Sequence, residues 1–248
     1  IGDVDYLVTE TTYGGRTDAE SLRKDIESDF VREVENTLQR GGKVLLPTLA
    51  IGRSAEVMSI LSHYGVLGRW PVWVDGAARN MLDIYTKYGI LVEEKKQKLL
   101  RKVIGNNPKD RFALLKSSEP CVILAPSGML TGGWSSFYAK RMVSNSKNLI
   151  ALTCYQAVNF LGYRLLRTRP GHSIGFEDNS CAIVRAQTRQ FNFSSHAQNR
   201  DLVSLVNRMN PKKGVLLIHG EERSMQSLQS AFPNRNIQPT YVGEKIMI

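Results

Sequence analysis

The sequence predicts an α/β protein built around a parallel sheet. Through residues 4–156, apolar segments of strand length alternate with amphipathic segments of helix length, as in strand–helix–strand crossovers. Turns containing glycine, serine or other polar residues follow the apolar segments, as expected where buried parallel strands end. The 248-residue chain is long enough for one large domain or two modest ones.

The elements follow in order from the amino terminus. A strand is predicted over residues 4–10 and a long helix over 19–39, which Gly41 and Gly42 end. One face of this helix is apolar, with members at every fourth position: Leu22, Ile26, Phe30, Val34 and Leu38. Further strands are predicted over 43–50, 71–76, 121–128 and 148–156, and further helices over 53–65, 79–88 and 93–104.

The pattern changes after about residue 180. The segment "CAIVRAQTRQFNF" predicts one or two antiparallel strands, "NRDLVSLVNRM" a helix, "GVLLIHG" a strand and "SMQSLQSAF" another helix. The segment 168–180, "TRPGHSIGFEDNS", is rich in turn-forming residues and is the best candidate for a loop or domain junction.

Composition indicates the class of partner and of compartment. The net charge of +10 favours a polyanionic partner such as nucleic acid, although a basic, soluble surface would explain it as well. The apolar segments are too short to span a bilayer and no leader opens the chain, so we expect a cytoplasmic protein with no membrane partner. The three cysteines lack metal or redox spacing, which favours reduced thiols.

Two of the four histidines follow strand-like segments. His196 and His219 lie 23 positions apart around one predicted helix, and this placement favours a common cleft. Taken separately, each fits a hydrogen-bonded structural histidine better than a catalytic one. Glu10, at the end of the first strand, offers a carboxylate for an acid–base or orienting pair. We expect His63 and His172 to be structural or solvated.

Five segments in order resemble the β-CASP branch of the metallo-β-lactamase-fold nucleases. They are "TETTYGG", "GGKVLLPTLAIGRSAEVM", "APSGML", "FNFSSHAQ" and "LLIHGEE", and they extend over nearly the whole chain. This branch includes archaeal proteins similar to the cleavage and polyadenylation specificity factor nuclease, and the RNase J group. The resemblance implies a parallel-sheet β-CASP domain with flanking helices over 13–180. Residues 1–12 and 181–248 would form the C-terminal part of a metallo-β-lactamase-like αββα domain, with the active site between the two domains.

The resemblance also implies roles for single residues. Glu10 matches the acidic motif A, His196 motif B and His219 motif C. In the family, the motif C histidine is a ligand of one of two zinc ions. The motif A acid and the motif B histidine form a pair near the scissile phosphate, with the histidine as proton donor. Arg53, Ser127 and Gly128 are the candidates for RNA or phosphate contacts, and the family commonly forms a homodimer.

The sequence departs from the family pattern at its main zinc motif. The HxHxDH motif is absent, so His219 is the one matched zinc ligand. A stable zinc site needs three or four protein ligands. We therefore expect this chain to be part of a longer protein, and to hold no stable zinc and show no turnover by itself. "CYQAVNFLG" and Gln198 also replace more usual family residues.

Two hypotheses follow from the resemblance and these departures. In the first, the chain is the β-CASP portion of a zinc-dependent ribonuclease that hydrolyses RNA phosphodiester bonds. The alternative is a non-catalytic RNA-binding or scaffold homologue in an RNA-processing complex. An HxHxDH motif encoded upstream would favour the enzyme, and its absence would favour the scaffold. The lysine-rich segment 93–102 fits a solvated helix face better than an RNA contact.

Overall fold

The computed structural model describes residues 4–15, 23–89, 100–102, 108–193 and 196–246. The chain divides into two compact units, a larger one formed by Leu22–Phe193 and a smaller one formed by Ile1–Ser21 with Ser194–Ile248. The predicted domain ranges, 13–180 against 1–12 and 181–248, stay a prediction.

Strands and helices alternate along most of the chain. In order they are β1 (Tyr6–Glu10), α1 (Arg23–Gln39), β2 (Lys43–Pro47), α2 (Arg53–His63), α3 (Val66–Arg69), β3 (Val72–Val74), α4 (Ala77–Lys87), β4 (Leu100–Lys102), α5 (Pro108–Lys116), β5 (Cys121–Ala125), α6 (Gly133–Met142), β6 (Leu149–Leu152), α7 (Leu161–Arg167), β7 (Ser173–Gly175), β8 (Cys181–Ile183), β9 (Gln187–Gln190), α8 (Asn199–Met209), β10 (Gly214–Ile218), α9 (Glu222–Ser230) and β11 (Ile237–Pro239). Among these described helices, none has both the length and the apolarity needed to cross a membrane.

The larger unit is built on a parallel sheet with the strand order β4-β3-β5-β2-β6-β9. Every residue of β2, β5 and β6 is buried, because helices cover both faces of the sheet. The apolar face of α1 contributes Phe30, Val34 and Leu38 to the core on one side, and α6 contributes Tyr138 and Met142 on the other. The predicted α/β fold class with a parallel sheet is thereby confirmed.

Two predictions about strand geometry are wrong in part. β9 pairs in parallel with β6, with Gln187 opposite Leu149, so the second half of "CAIVRAQTRQFNF" is not antiparallel. Only β8 has the expected antiparallel pairing, and its partner β7 lies within the predicted loop 168–180. Pairing with the buried strand β6 provides backbone hydrogen bonds that the polar sequence of β9 does not reveal.

The predicted helix over 93–104 is also wrong where it can be compared. Residues 93–99 and 103–104 lie outside the described residues, and the intervening Leu100–Lys102 form strand β4. β4 pairs in parallel with β3, with Leu100 opposite Val72. Strand pairing at the edge of the sheet therefore overrides the helical propensity of leucine, arginine and lysine.

The smaller unit has its own parallel sheet, in the order β1-β10-β11. Helices α8 and α9 pack on this sheet through an apolar core formed by Leu202, Val206, Val215, Leu217, Met225 and Leu228. Gln198 is the N-cap residue of α8, and its backbone N–H donates to the carboxylate of Asp201 at 3.3 Å. The residue that departs from the family pattern after His196 thus begins a helix.

Candidate functional site

Strand register in the smaller unit brings Glu10 and His219 to one edge of the sheet. Glu10 is the last residue of β1 and lies opposite Ile218, the last residue of β10. His219 follows directly, in the left-handed region at φ 49°, where the chain turns away from the sheet. Tyr13 and Gln198 form an isolated parallel bridge, which places the segment carrying His196 beside the segment that follows Glu10.

Gly220 allows the turn after β10 to pack closely against the turn after β1. A Cβ at Gly220 would lie 2.2 Å from Thr11 Oγ1 and 2.7 Å from the Thr11 carbonyl oxygen. Gly14 plays the same part on the other segment, since a Cβ there would lie 2.7 Å from the carbonyl oxygen of Ser224. The glycines of "TETTYGG" and "LLIHGEE" are thus a sequence signal from which this close approach could have been predicted.

The structure brings Glu10, His196 and His219 together. His196 Nδ1 lies 3.2 Å from Glu10 Oε2, and the two imidazole rings are stacked with centroids 5.3 Å apart. One potential ligand atom from each of these residues lies within 4.8 Å of the others. Both histidines are exposed and Glu10 is partly buried, so a ligand can reach the rings.

The Glu10 carboxylate accepts hydrogen bonds from two backbone N–H groups. Its Oε2 accepts from the backbone N–H of Thr12 and its Oε1 from that of Ala197, each at 3.0 Å. Burial alone would raise the pKa of Glu10, but the hydrogen bonds from Thr12 and Ala197 and the neighbouring His196 outweigh burial and lower it. Glu10 is therefore ionised at neutral pH and can hold the Nδ1–H of His196.

Thr12 lies between the two histidines and was missed by the sequence analysis. Its hydroxyl oxygen is 3.0 Å from His219 Nδ1 and 3.3 Å from His196 Nδ1, and it donates to the His219 carbonyl oxygen at 3.1 Å. A hydroxyl has a single proton. While Thr12 donates that proton to the carbonyl, it can only accept from the rings. With Thr12 as acceptor, a proton on Nδ1 of His219 would leave a lone pair on its Nε2.

Comparisons with known proteins match two family models to this chain. The family model for the Beta-Casp domain matches residues 55–165, and that for the Zn-dependent metallo-hydrolase RNA specificity domain matches residues 182–240. The chain belongs to the β-CASP family. As a β-CASP protein it is similar to archaeal proteins in particular. It is 33% identical over 246 residues to the transcription termination factor FttA of Thermococcus kodakarensis, covering 91% of this chain and 37% of that protein.

Two further archaeal relatives show the same partial coverage. The chain is 35% identical over 233 residues to the RNase aCSPSF2 of Saccharolobus solfataricus, covering 92% of this chain and 44% of that protein. It is 33% identical over 247 residues to the transcription termination factor FttA of a Lokiarchaeum, covering 92% and 38%. The chain therefore spans less than half the length of these β-CASP relatives.

The residues at this site fit the zinc that the family description names. Imidazole and carboxylate are common zinc ligand types, but a catalytic site has three protein ligands, so this cluster, with His219 as its family-matched ligand, forms part of such a site. Sequence matching alone supplied His219, whereas the structure adds His196 and Glu10 within 4.8 Å. The Glu10 oxygens already accept backbone N–H groups, which suits a carboxylate that orients His196 better than one that holds the ion.

The other three predicted site residues of this β-CASP chain lie in the larger unit. Arg53 begins α2, where its guanidinium pairs with Glu56 and donates to the Phe193 carbonyl oxygen, and its side chain is only 15% exposed. A phosphate contact by Arg53 would compete with both interactions. Ser127 and Gly128 follow β5; Ser127 Oγ accepts from the Thr131 N–H at 2.9 Å.

Gly128 is buried against Cys154 of the "CYQAVNF" segment. A Cβ at Gly128 would lie 2.7 Å from Cys154 Sγ, so only glycine fits without rearrangement. Its carbonyl oxygen accepts from Gln156 Nε2 at 3.0 Å. Within the larger unit, Ser127 thus reaches the surface at this turn while Gly128 sets its packing.

Proposed function

We propose that this chain is the β-CASP portion of a zinc-dependent ribonuclease that hydrolyses RNA phosphodiester bonds. The cluster of Glu10, His196 and His219 at the ends of β1 and β10 carries the proposal. One matching family is that of the Zn-dependent metallo-hydrolase RNA specificity domain, and one relative is named as an RNase. Because the chain spans less than half of its relatives, we assign the activity to the longer protein.

Each residue of the cluster has a distinct part in the proposed reaction. His219 would hold zinc through Nε2, since its Nδ1 faces the Thr12 hydroxyl. Bound zinc lowers the pKa of a coordinated water and polarises phosphate oxygens. Glu10 holds the Nδ1 side of His196, so that proton transfer by this ring takes place at Nε2. In the imidazolium form, His196 donates a proton to the departing ribose oxygen.

RNA as the partner is supported by charge as well as by family. The net charge of +10 favours binding to a phosphate backbone. Ser127, Gly128 and Arg53 are proposed as RNA contacts of the larger unit. A homodimer and a cytoplasmic location belong to the same proposal, and light scattering of the purified protein tests the first.

The test uses three histidine variants of the longer protein, with RNA cleavage and zinc content measured in each. His196→Ala should lower cleavage by about 10²- to 10⁴-fold, the contribution of a general acid, with zinc content unchanged. His219→Ala should lose both zinc and cleavage. His63→Ala changes an exposed histidine of α2 in the larger unit and should alter neither.

Different failures have different meanings. Loss of zinc in His196→Ala would overturn the role of proton donor and make His196 a metal ligand. Salt-sensitive RNA binding by a wild-type protein that never cleaves would favour the scaffold alternative.

A further inference from the structure

A cavity of about 670 Å³ lies in the larger unit at the carboxyl ends of β3 and β5. Its walls are the turns that follow these strands and the first turns of α4 and α6. Its polar and aromatic lining is formed by Arg79, Asn80, Ser127, Thr131 and Trp134. Ligands of parallel α/β sheets commonly bind at this end of the strands.

The charges around the cavity favour an anion. Helices α4 and α6, of 11 and 10 residues, both begin there, and neither has an acidic residue in its first turn. Within the described residues neither helix start has a side-chain capping hydrogen bond, although the Arg79 N–H donates to the Gly76 carbonyl oxygen and the Ser135 N–H to the Pro126 carbonyl oxygen. The donors left for a ligand are the N–H groups that precede Arg79 in α4 and Ser135 in α6. Arg79, in the first turn of α4, adds a positive charge that is independent of the helix starts.

The carboxylate that lies under this cavity is neutralised internally. Asp75 is buried after β3 and forms a bidentate ion pair with Arg111, with N–O distances of 2.6 and 2.7 Å. It also accepts from the Tyr138 hydroxyl at 2.8 Å and from the Gly76 N–H at 2.6 Å. With the Asp75 charge paired, no uncompensated carboxylate of this ion pair opposes the positive charge of Arg79 in the cavity lining.

Trp134 provides an aromatic wall with a fixed orientation. The Arg111 guanidinium lies 3.4 Å from the centroid of its ring, and Phe137 contacts it edge-on at 5.5 Å. Because Arg111 is itself held by buried Asp75, the indole is positioned before any ligand arrives. A rigid, partly exposed ring that lines a polar cavity is suited to stacking on a nucleobase.

The cavity continues along α6. A second depression of about 290 Å³ shares Gly132 and Gly133 with the first, and its further lining includes Phe137, Lys140, Arg141, Phe176, Glu177 and Asp178. Arg141 is exposed and lies 3.7 Å above the Phe137 ring, whereas Lys140 pairs with Asp178 in the same depression. Basic and aromatic side chains thus occur in both depressions, as in surfaces that bind single strands, while the carboxylates of Glu177 and Asp178 balance part of the positive charge in the second.

We propose that this groove, which we call the α6 groove, binds a short stretch of single-stranded RNA. We define it by Arg79, Asn80, Trp134, Phe137 and Arg141. One phosphate lies at the starts of α4 and α6 beside Arg79, one base stacks on Trp134, and the strand continues past Arg141. The choice of RNA rests on the proposed function, but the groove uses none of the residues of the Glu10 cluster.

The test measures binding of 5′-phosphorylated hexauridylate, labelled at its 3′ end, to this chain by fluorescence anisotropy over a range of salt concentrations. Arg79→Gln should weaken binding and lower the salt slope of log K by about 0.7, the value for one phosphate contact on a single strand. Arg69→Gln is the matched control, because it removes an exposed arginine of the same unit that is paired with Glu35 away from the groove. It should change the affinity less than twofold.

Tryptophan fluorescence supplies a second measurement. Trp134→Leu should weaken binding about fivefold or more, the loss expected for one stacked base. Because Trp134 also packs on Arg111, the milder variant Trp134→Phe is used for the fluorescence measurement, with Trp70→Phe as its control. RNA should quench the tryptophan fluorescence of Trp70→Phe, which retains Trp134. It should not quench the fluorescence of Trp134→Phe.

The outcomes separate the two proposals. If wild-type chain binds RNA and Arg79→Gln binds with the same affinity and salt slope, the α6 groove is refuted while the ribonuclease proposal is untouched. Absence of RNA binding at low salt also refutes the groove, and cleavage by the longer protein with its histidine variants still decides the ribonuclease proposal. Quenching that survives in Trp134→Phe refutes the stacking role.

Discussion

Replacing Thr12 by valine tests whether one hydroxyl orients both histidines. Valine keeps the branched shape of threonine and substitutes a methyl group for the oxygen that lies 3.0 and 3.3 Å from the two Nδ1 atoms. It also removes the hydrogen bond to the His219 carbonyl oxygen at 3.1 Å. The backbone N–H of Thr12 still donates to Glu10, so that the position of the carboxylate is retained.

The magnitude follows from the exposure of the rings. A net hydrogen bond is worth about 0.5–1.5 kcal/mol, and water can replace the hydroxyl at two exposed imidazoles. We therefore expect Thr12→Val to lower the free energy of unfolding by no more than about 2 kcal/mol. The effect on zinc affinity and cleavage should be larger than the effect on stability, because losing a hydrogen-bond partner of a metal ligand typically costs about 10- to 100-fold in metal affinity or activity.

The assay combines zinc competition and RNA cleavage in the longer protein with imidazole ¹⁵N spectra of this chain. Thr12→Val should lose 10- to 100-fold in both functional measurements and change the tautomer signature of His219, whereas Thr12→Ser should retain wild-type behaviour. Zinc affinity and cleavage within twofold of wild type in Thr12→Val would refute the reasoning. If serine behaved like valine, packing of the threonine methyl group would be the cause instead.

Three other variants test the packing and charges described above. Gly220→Ala should destabilise the smaller unit by about 1–3 kcal/mol in urea denaturation, because its methyl group would lie 2.2 Å from Thr11 Oγ1. The control is Gly68→Ala, where an added Cβ meets no described atom within 4 Å. For Glu10, the folded-state pKa lies below the ordinary value of 4.5. Glu10 therefore contributes fully to stability above pH 4.5, and this contribution is lost as the pH falls from 4.5 through the lowered pKa of the folded state. The difference in unfolding midpoint between wild type and Glu10→Gln should consequently shrink from pH 7 to pH 3. Asp75→Ala should cost about 3–5 kcal/mol, because it leaves the buried Arg111 guanidinium without its carboxylate, and a loss within experimental error would contradict the buried pair. Asp178→Ala changes an exposed carboxylate and should leave the urea midpoint nearly unchanged.

Strands buried on both faces could be predicted from the sequence, whereas the edge strands could not. β2, β5 and β6 have continuous apolar sequences because helices cover both sides, and this pattern is visible without any structure. β4 and β9 lie at the two edges of the sheet, with the sequences LRK and QTRQ. Their strand character comes from backbone pairing with a neighbour, which local sequence does not encode.

Some residues of the candidate site could likewise be predicted from the sequence, whereas others could not. Glu10, His196 and His219 stand out by residue type and motif, so a sequence comparison proposes them together. Neither residue type nor motif distinguishes Thr12 from the other threonines of the sequence. Its place between the two imidazole rings depends on contacts with residues up to 207 positions away. Conversely, Arg53 has a suggestive position in a motif, but the structure pairs its guanidinium internally with Glu56.

The parallel pairing of β1 with β10 has a consequence for synthesis on the ribosome. β1 ends at residue 10, and its partner strand is complete only at residue 218. All residues of the larger unit are therefore translated before β10, and that unit has its own sheet and core with which to fold first. During this interval the backbone donors and acceptors of β1 that will pair with β10 have no partner from that strand. Assembly of the Glu10 cluster is thus a late event in the life of the nascent chain.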